Sequence, residues 1–228
     1  MEFVGIDKFS LLDYEEKVSI VLFSRDCNFR CPFCHNGDGV LNATTFIPFD
    51  DILAYLKTRV GLIDAVVLSG GEPTLMPELK ERIIKIRELG FKIKLDTNGL
   101  KPFVVEDLLY NKLLDYVAMD IKNSPKEYPR TTGNLVVNMD LIKQSINIIE
   151  ASGVDYEFRT TLVKEFHTEK SIKEMGEFIK GAKKLYLQKF VDREGCIKKG
   201  LHEIPLEEAI KFKEILSEYV SDVELRGY

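Results

Sequence analysis

Seven short apolar, β-branched runs punctuate the chain at residues 18–24, 64–69, 91–97, 115–121, 154–161, 183–190 and, more weakly, 222–225. Between most of them the apolar positions recur at helical spacing, over 48–60, 77–89, 104–112, 138–152, 171–180 and 206–219. Pro48 opens the first helix with acids in its first turn, and Gly90, Gly153 and Gly181 close three others as C-terminal glycines do. Strands alternating with helices build parallel pairs joined by right-handed crossovers. Such units curl into a barrel, partial or complete, or spread into an open doubly wound sheet. A complete eight-stranded barrel takes about 250 residues, whereas this chain has 228 and spends a long stretch on its first strand-to-helix loop. The pattern predicts an α/β fold, an incomplete (β/α)6 TIM-type barrel with parallel strands, with the open sheet as the alternative. Nothing rich in Pro, Gly or Ser divides the units, so one domain is expected over 1–228, its core at about 17–190 and a C-terminal helix and weak strand at 206–225.

The formal net charge is −5 with acids and bases interleaved, which offers no electrostatic footprint for nucleic acid or an anionic membrane. Nowhere do about 18 apolar residues run together, and the acidic N-terminus lacks the apolar segment of a secretion signal. A cytoplasmic location is expected. The four cysteines, three clustered and Cys196 alone, do not form a disulfide framework, and a reducing compartment favours metal or redox use of the cluster. Cys196 reads as a spare thiol.

Polar residues collect at the C-terminal end of strand after strand. Cys27, Cys31 and Cys34 follow the first; Ser69-Gly70-Gly71-Glu72-Pro73 follows the second; Asp96-Thr97-Asn98-Gly99 ends the third. Asp120 and Lys122 end the fourth, Arg159, Thr160 and Thr161 the fifth, and Gln188 the sixth. In α/β folds of either type this end of the strands binds ligands. Each piece also has a plainer reading: a tight turn for Gly70-Gly71, an Asn-Gly turn for Asn98-Gly99, a surface ion pair for Asp120 and Lys122. Adjacent glycines let backbone approach a ligand, and Glu72 beside them could meet an ammonium or hydroxyl group. Arg159, within a strand, needs a carboxylate or phosphate partner to be buried.

Three thiolates spaced by three and then two residues can hold three corners of a cubane iron–sulfur cluster and leave the fourth iron open. Two other readings compete. Cys31 and Cys34 match a thioredoxin-type dithiol, which leaves Cys27 unused and wants a helix where His35-Asn36-Gly37-Asp38-Gly39 gives a breaker-rich loop. Zinc held by the three cysteines and His35 requires adjacent residues, Cys34 and His35, to ligate together.

The cysteine spacing, the aromatic Phe33 before the last cysteine and the Ser-Gly-Gly-Glu-Pro segment resemble the radical S-adenosylmethionine (SAM) enzymes. Within that superfamily Cys34-His35-Asn36, Leu95-Asp96-Thr97-Asn98-Gly99, Asp120-Ile121-Lys122 and Glu157-Phe158-Arg159-Thr160-Thr161 resemble the glycyl-radical-enzyme activases, most of all those serving anaerobic ribonucleoside-triphosphate reductase. The resemblance spans about 6–190. It implies that Cys27, Cys31 and Cys34 hold a [4Fe–4S] cluster whose open iron takes the amino and carboxylate groups of SAM. It further implies Phe33 against the adenine, Gly70, Gly71 and Glu72 at the methionine amino end, and Asp120 and Lys122 at the ribose and carboxylate. Arg159 would assist at a carboxylate, Gln188 would contact SAM, and Asp96, Thr97 and Asp120 match the ligands of a monovalent cation. Asp26 departs from the family, which commonly has Gly there; if that position takes a positive φ, Asp is among the residues that tolerate it.

The implied activity is reductive cleavage of SAM to a 5′-deoxyadenosyl radical that generates a glycyl radical on a partner enzyme. A flavodoxin- or ferredoxin-type electron donor is implied with it. The alternatives are a radical SAM enzyme acting on a small molecule and a metal-binding protein without catalysis.

Overall fold

The computed structural model describes residues 3–228, apart from the side chain of Asp38. Its centre is one eight-stranded sheet whose strands lie side by side in chain order: β1 Phe3–Ser10, β2 Ser19–Ser24, β3 Ala65–Gly70, β4 Lys92–Thr97, β5 Tyr116–Asp120, β6 Asp155–Leu162, β7 Lys184–Lys189 and β8 Asp222–Arg226. From β2 to β8 every neighbouring pair is parallel. A doubly wound sheet would reverse its strand order midway; this one never does, so the crossovers wind one way and the sheet curls as a barrel does. Among the described residues β1 and β8 do not pair, and the barrel stays open.

The helices are α1 Gly37–Leu41, α2 Phe49–Lys57, α3 Leu79–Arg87, α4 Pro102–Tyr110, α5 Tyr128–Thr132, α6 Met139–Ala151, α7 Glu169–Phe178 and α8 Leu206–Leu216. Strand side chains alternate between two faces. Ile20, Leu22, Val66, Leu68, Ile93, Leu95, Val117, Met119, Phe158 and Leu187 point to the helix side and form the main core with Ile52, Ile83, Leu108, Ile146, Ile172 and Phe212. Val21, Ala65 and Val67 point to the concave side, where Tyr14 from the β1–β2 turn covers them. Further along the sheet the concave face turns charged. Lys94 of β4 and Arg226 of β8 each lie 3.5 Å from Glu157 of β6, and the Tyr116 hydroxyl donates to Glu157 at 3.1 Å. These residues floor the lumen beneath the strand ends.

The structure corrects the expected strand set at its N-terminal edge. β1 is an additional strand, antiparallel to β2, and its sequence, with Gly5, Asp7 and Lys8 among apolar residues, carries no period-two pattern. The short helices α1 and α5 are also additional. β8, the weak run, is a full member of the sheet through five register pairs with β7. Among the described residues no helix is long and apolar enough to cross a membrane.

Candidate cofactor-binding site

A cavity of about 420 Å³ opens at the C-terminal ends of β2 to β7, and every site residue singled out from the sequence lines it: Cys27, Cys31, Phe33, Cys34, Gly70, Gly71, Glu72, Asp96, Thr97, Asp120, Lys122, Arg159 and Gln188. The cysteine loop, residues 25–36, follows β2 and is irregular, so other segments must hold it. The Glu72 amide donates to Asp26 O at 2.8 Å and the Gly71 amide to Ser24 O at 2.9 Å. The Arg30 amide donates to Thr132 O at 2.8 Å, the Lys198 amide to Pro32 O at 2.8 Å, and the Asn134 side chain to Asn28 O at 2.9 Å. Asp26 has φ 26°, a positive value that Asp accepts more readily than most residues.

The glycine pair is shaped by this loop. A Cβ on Gly71 would sit 2.1 Å from Arg25 O and 2.2 Å from Asp26 O, and one on Gly70, at φ 105°, would sit 2.4 Å from the Ser24 nitrogen. The absent side chains let β3 run hard against the backbone that leads into the cysteines.

Glu72, 1% exposed, is engaged by protein donors. Its Oε1 accepts from the Thr74 amide at 3.1 Å, from the Thr74 hydroxyl, and from the Thr97 hydroxyl at 2.8 Å; Oε2 accepts from the Asn98 amide at 2.7 Å. Burial raises its pKa above its ordinary value, against the opposing pull of those hydrogen bonds. Oε2 accepts one of the two hydrogen bonds an oxygen of this kind can take. Asn98 is more than a turn residue: its side-chain nitrogen donates to Asn28 Oδ1 at 2.6 Å and lies 3.8 Å from Cys27 Sγ.

A ladder of charges crosses the strand ends. Arg159 of β6 donates from Nε to Asp120 of β5 at 3.1 Å and from Nη1 to Asp96 of β4 at 3.3 Å, while Lys122 Nζ donates to Asp120 at 2.9 Å. The anion expected for Arg159 is thus supplied by the chain itself. Burial disfavours the Asp120 carboxylate, yet Lys122 and Arg159 outweigh it and hold its pKa below the ordinary value. Burial also works against the Lys122 ammonium, but the Asp120 carboxylate beside it keeps it protonated above its usual range. Asp96 accepts from the Ser69 hydroxyl at 2.8 Å through Oδ2, and its Oδ1 is buried without a hydrogen-bond partner. The Thr97 hydroxyl donates to Glu72.

Burial pushes the Cys27 thiol up to about 11 and the Cys31 thiol up to about 12, and raises Cys34 as well, with Lys122 opposing the shift at all three. Thiols in so dry a pocket ionise when a metal compensates them. Three soft thiol donors on one loop line the cavity, and such donors suit an iron–sulfur cluster.

The sequence reading missed Asp13, Phe23, Arg193 and Ile197 on the cavity wall. The last two belong to the loop after β7, which also carries Cys196. Cys196 is buried within electrostatic reach of Cys34, so the spare thiol lies beneath the cysteine loop. His35 fastens the same loop, its Nε2 2.9 Å from Val191 O and its ring stacked on Phe190 at 5.7 Å. Those contacts join segments about 150 residues apart, and no local pattern announces them.

An open, singly wound barrel with a three-cysteine loop and charged strand ends defines a class, and the chain belongs to the radical SAM superfamily, which it matches over residues 21–179. Enzymes of that superfamily use SAM and a [4Fe–4S] cluster. The chain is 32% identical over 234 aligned residues, 97% of its length and 94% of the relative's, to a candidate glycyl-radical enzyme activating enzyme of Methanocaldococcus jannaschii. In fold it is similar to a radical SAM methyltransferase from Sphaerobacter thermophilus (TM-score 0.72, 16% identity, 93% of this chain and 67% of the other). It is also similar to a domain of pyruvate-formate lyase-activating enzyme from Bacteroides vulgatus (TM-score 0.58, 21% identity, 72% and 99%).

Proposed function

We propose that this protein is a cytoplasmic activase that installs a glycyl radical on a partner enzyme, an anaerobic ribonucleoside-triphosphate reductase. The observation that carries the reading is the facing of three dry thiols, on a loop fixed by distant segments, across one cavity from a self-neutralised charge ladder. Near-complete similarity in length to the M. jannaschii activating enzyme supports the choice of activase over the other reactions of the superfamily.

Cys27, Cys31 and Cys34 would hold the [4Fe–4S] cluster, and the backbone of Gly70 and Gly71 with Glu72 Oε2 would meet the amino end of SAM. When bound, a cluster reduced by one electron would supply the reductive cleavage of SAM, passing that electron to the SAM sulfonium to give methionine and a 5′-deoxyadenosyl radical able to take a hydrogen atom from the target glycine, and the residues of this chain would hold and orient both groups. Lys122 would face the SAM carboxylate, Asp120 the ribose, and Phe33 the adenine. Arg159 holds Asp120 and Asp96 in place, and Gln188 closes the wall at the end of β7. A monovalent cation would compete with the Arg159 guanidinium for Asp96 and Asp120; the buried Asp96 Oδ1 is the oxygen it would take. No side-chain acid or base is required, because a hydrogen atom rather than a proton moves.

Anaerobically reconstituted protein should be brown, and dithionite with SAM should release 5′-deoxyadenosine. Cys31→Ala should lose both properties. A colourless protein holding stoichiometric zinc would sink the reading.

A further inference from the structure

We propose that Tyr128 and His167 are positioning residues for SAM: from outside the cavity they clamp the backbone of Asp120 and Lys122 and set its spacing from the cysteine loop. The inference rests on the reading above, in which Asp120 and Lys122 face the ribose and carboxylate of SAM. Neither Tyr128 nor His167 lines the cavity. Both are buried, at 0% and 2% exposure, and the chemistry proposed for the site uses neither. Buried polar groups are kept where their hydrogen bonds are made, so the partners of these two show what they serve.

Asp120 is the last residue of β5, and the chain leaves the sheet just where these side chains face the cavity. Every backbone polar group from the Asp120 carbonyl to the Lys122 carbonyl nevertheless has a partner. The Ile121 amide donates to Arg159 O at 2.8 Å, and Ile121 O accepts from the Thr160 hydroxyl at 2.7 Å. Tyr128 and His167 meet the rest. The Tyr128 hydroxyl accepts from the Lys122 amide at 3.2 Å and donates to Asp120 O at 3.3 Å, while His167 Nε2 lies 3.0 Å from Lys122 O. A carbonyl can only accept, so Nε2 carries the imidazole proton, and Nδ1 of the neutral ring accepts from the Val163 amide at 3.0 Å. Burial lowers the His167 pKa and favours that neutral form.

Each of the two also bears on the cysteine loop. The Tyr128 ring meets Phe29 edge-on, with centroids 6.2 Å apart, and Tyr128 opens α5, whose last residue, Thr132, accepts from the Arg30 amide at 2.8 Å. Phe166, next to His167, packs on Phe33 with centroids 5.9 Å apart. The Phe166 and His167 amides both donate to Val163 O at 3.0 Å, so one turn carries both residues. Tyr128 and His167 thus stand between the loop proposed to hold the cluster and the backbone proposed to hold SAM. A side chain facing a ligand is only as well placed as the backbone beneath it, and a small misplacement there is enough to weaken its contact.

Equilibrium dialysis of SAM against the cluster-loaded, unreduced protein tests this without turnover. Tyr128→Phe keeps the ring on Phe29 and removes the hydroxyl; it should load iron as wild type does and bind SAM about tenfold more weakly. His167→Leu should do the same, and His167→Gln, whose amide can donate to Lys122 O, should recover most of the loss. In a Lys122→Met background the effect of Tyr128→Phe should shrink to about threefold or less, because the two residues act on one contact. An undiminished effect in that background would mean that Tyr128 serves the fold at large, and would overturn the proposal. So would unchanged affinity in Tyr128→Phe, or a Tyr128→Phe protein that takes up no iron, which would assign the residue to the cysteine loop alone. If His167→Leu does not fold, Tyr128→Phe and His167→Gln decide. Wild-type protein that binds no SAM sinks the reading of the cavity, whereas SAM binding that survives both Tyr128→Phe and His167→Leu at full strength sinks this inference alone.

Discussion

Glu72 and Asp120 line the same cavity, and the chain treats their charges in opposite ways. At the β3–β4 corner Glu72 is buried among neutral donors from Thr74, Thr97 and Asn98, and its pKa is raised. At the β5–β6 strand ends Asp120, 26% exposed to the cavity, lies between two cations, Lys122 and Arg159, and its pKa is lowered. In the strand-end ladder the counter-charges of Asp120 come from the chain itself, on Lys122 and Arg159. The corner is electrostatically unfinished, and the cationic or N–H-bearing end of a ligand would finish it. A site can thus be rigid on one side and responsive on the other, according to whether the counter-charge belongs to the protein or to what it binds.

Breaking the ladder should have the largest effect. Arg159→Met removes the guanidinium that contacts both carboxylates, leaving Asp96 only the more distant Lys94 and Asp120 only Lys122, and loss of one partner from a buried ionic group costs about 3–5 kcal/mol, a fall of roughly 10 °C in Tm for a chain of this size. Thermal unfolding of the cluster-free protein checks this; a Tm within about 2 °C of wild type would mean that the ladder is not what holds the strand ends.

Crowding the corner should come next. Gly71→Ala drives a Cβ into Arg25 O and Asp26 O, an overpacking of about 1–3 kcal/mol that falls on the cysteine loop. Iron content after reconstitution should drop well below that of wild type while the far-ultraviolet circular dichroism stays the same. Normal iron loading would show that the loop does not need this seat.

A pH titration separates the two carboxylates. Because its folded pKa is raised, Glu72 costs stability as pH rises above its unfolded value of about 4.5 toward the folded value. Asp120, with a depressed pKa, contributes stability above its unfolded value of about 3.8 and loses it as pH falls through the folded one. The stability of wild type minus that of Glu72→Gln should therefore decline as pH rises from about 4.5, whereas wild type minus Asp120→Asn should be flat there and shrink only in stronger acid. Denaturant melts across pH 3–8 read both; parallel curves for the two differences would erase the contrast. The smallest effect is expected for Cys196→Ala, which removes a buried thiol but no proposed ligand, at about 1 kcal/mol with iron loading intact. Loss of the cluster there would make Cys196 part of the site.

Much of this could be read in the sequence, because seven parallel strands announce themselves as β-branched runs, and their C-terminal ends are where the polar residues collect. What could not be read is who meets whom. Asp96 and Arg159 are 63 residues apart and pair only through the β4–β5–β6 register. Gly70 and Gly71 looked like a turn or a ligand contact, and the backbone they make room for lies some 45 residues earlier. β1 stayed hidden because a strand with Gly5, Asp7 and Lys8 draws its stability from its neighbour β2 rather than from its own pattern.

The most direct test of the proposed function is an EPR measurement on anaerobic ribonucleoside-triphosphate reductase mixed with the reduced, cluster-loaded protein and SAM. The account predicts a glycyl radical doublet on the reductase, with 5′-deoxyadenosine formed alongside it and both lost in Cys31→Ala. Formation of 5′-deoxyadenosine with no doublet on the reductase would contradict it.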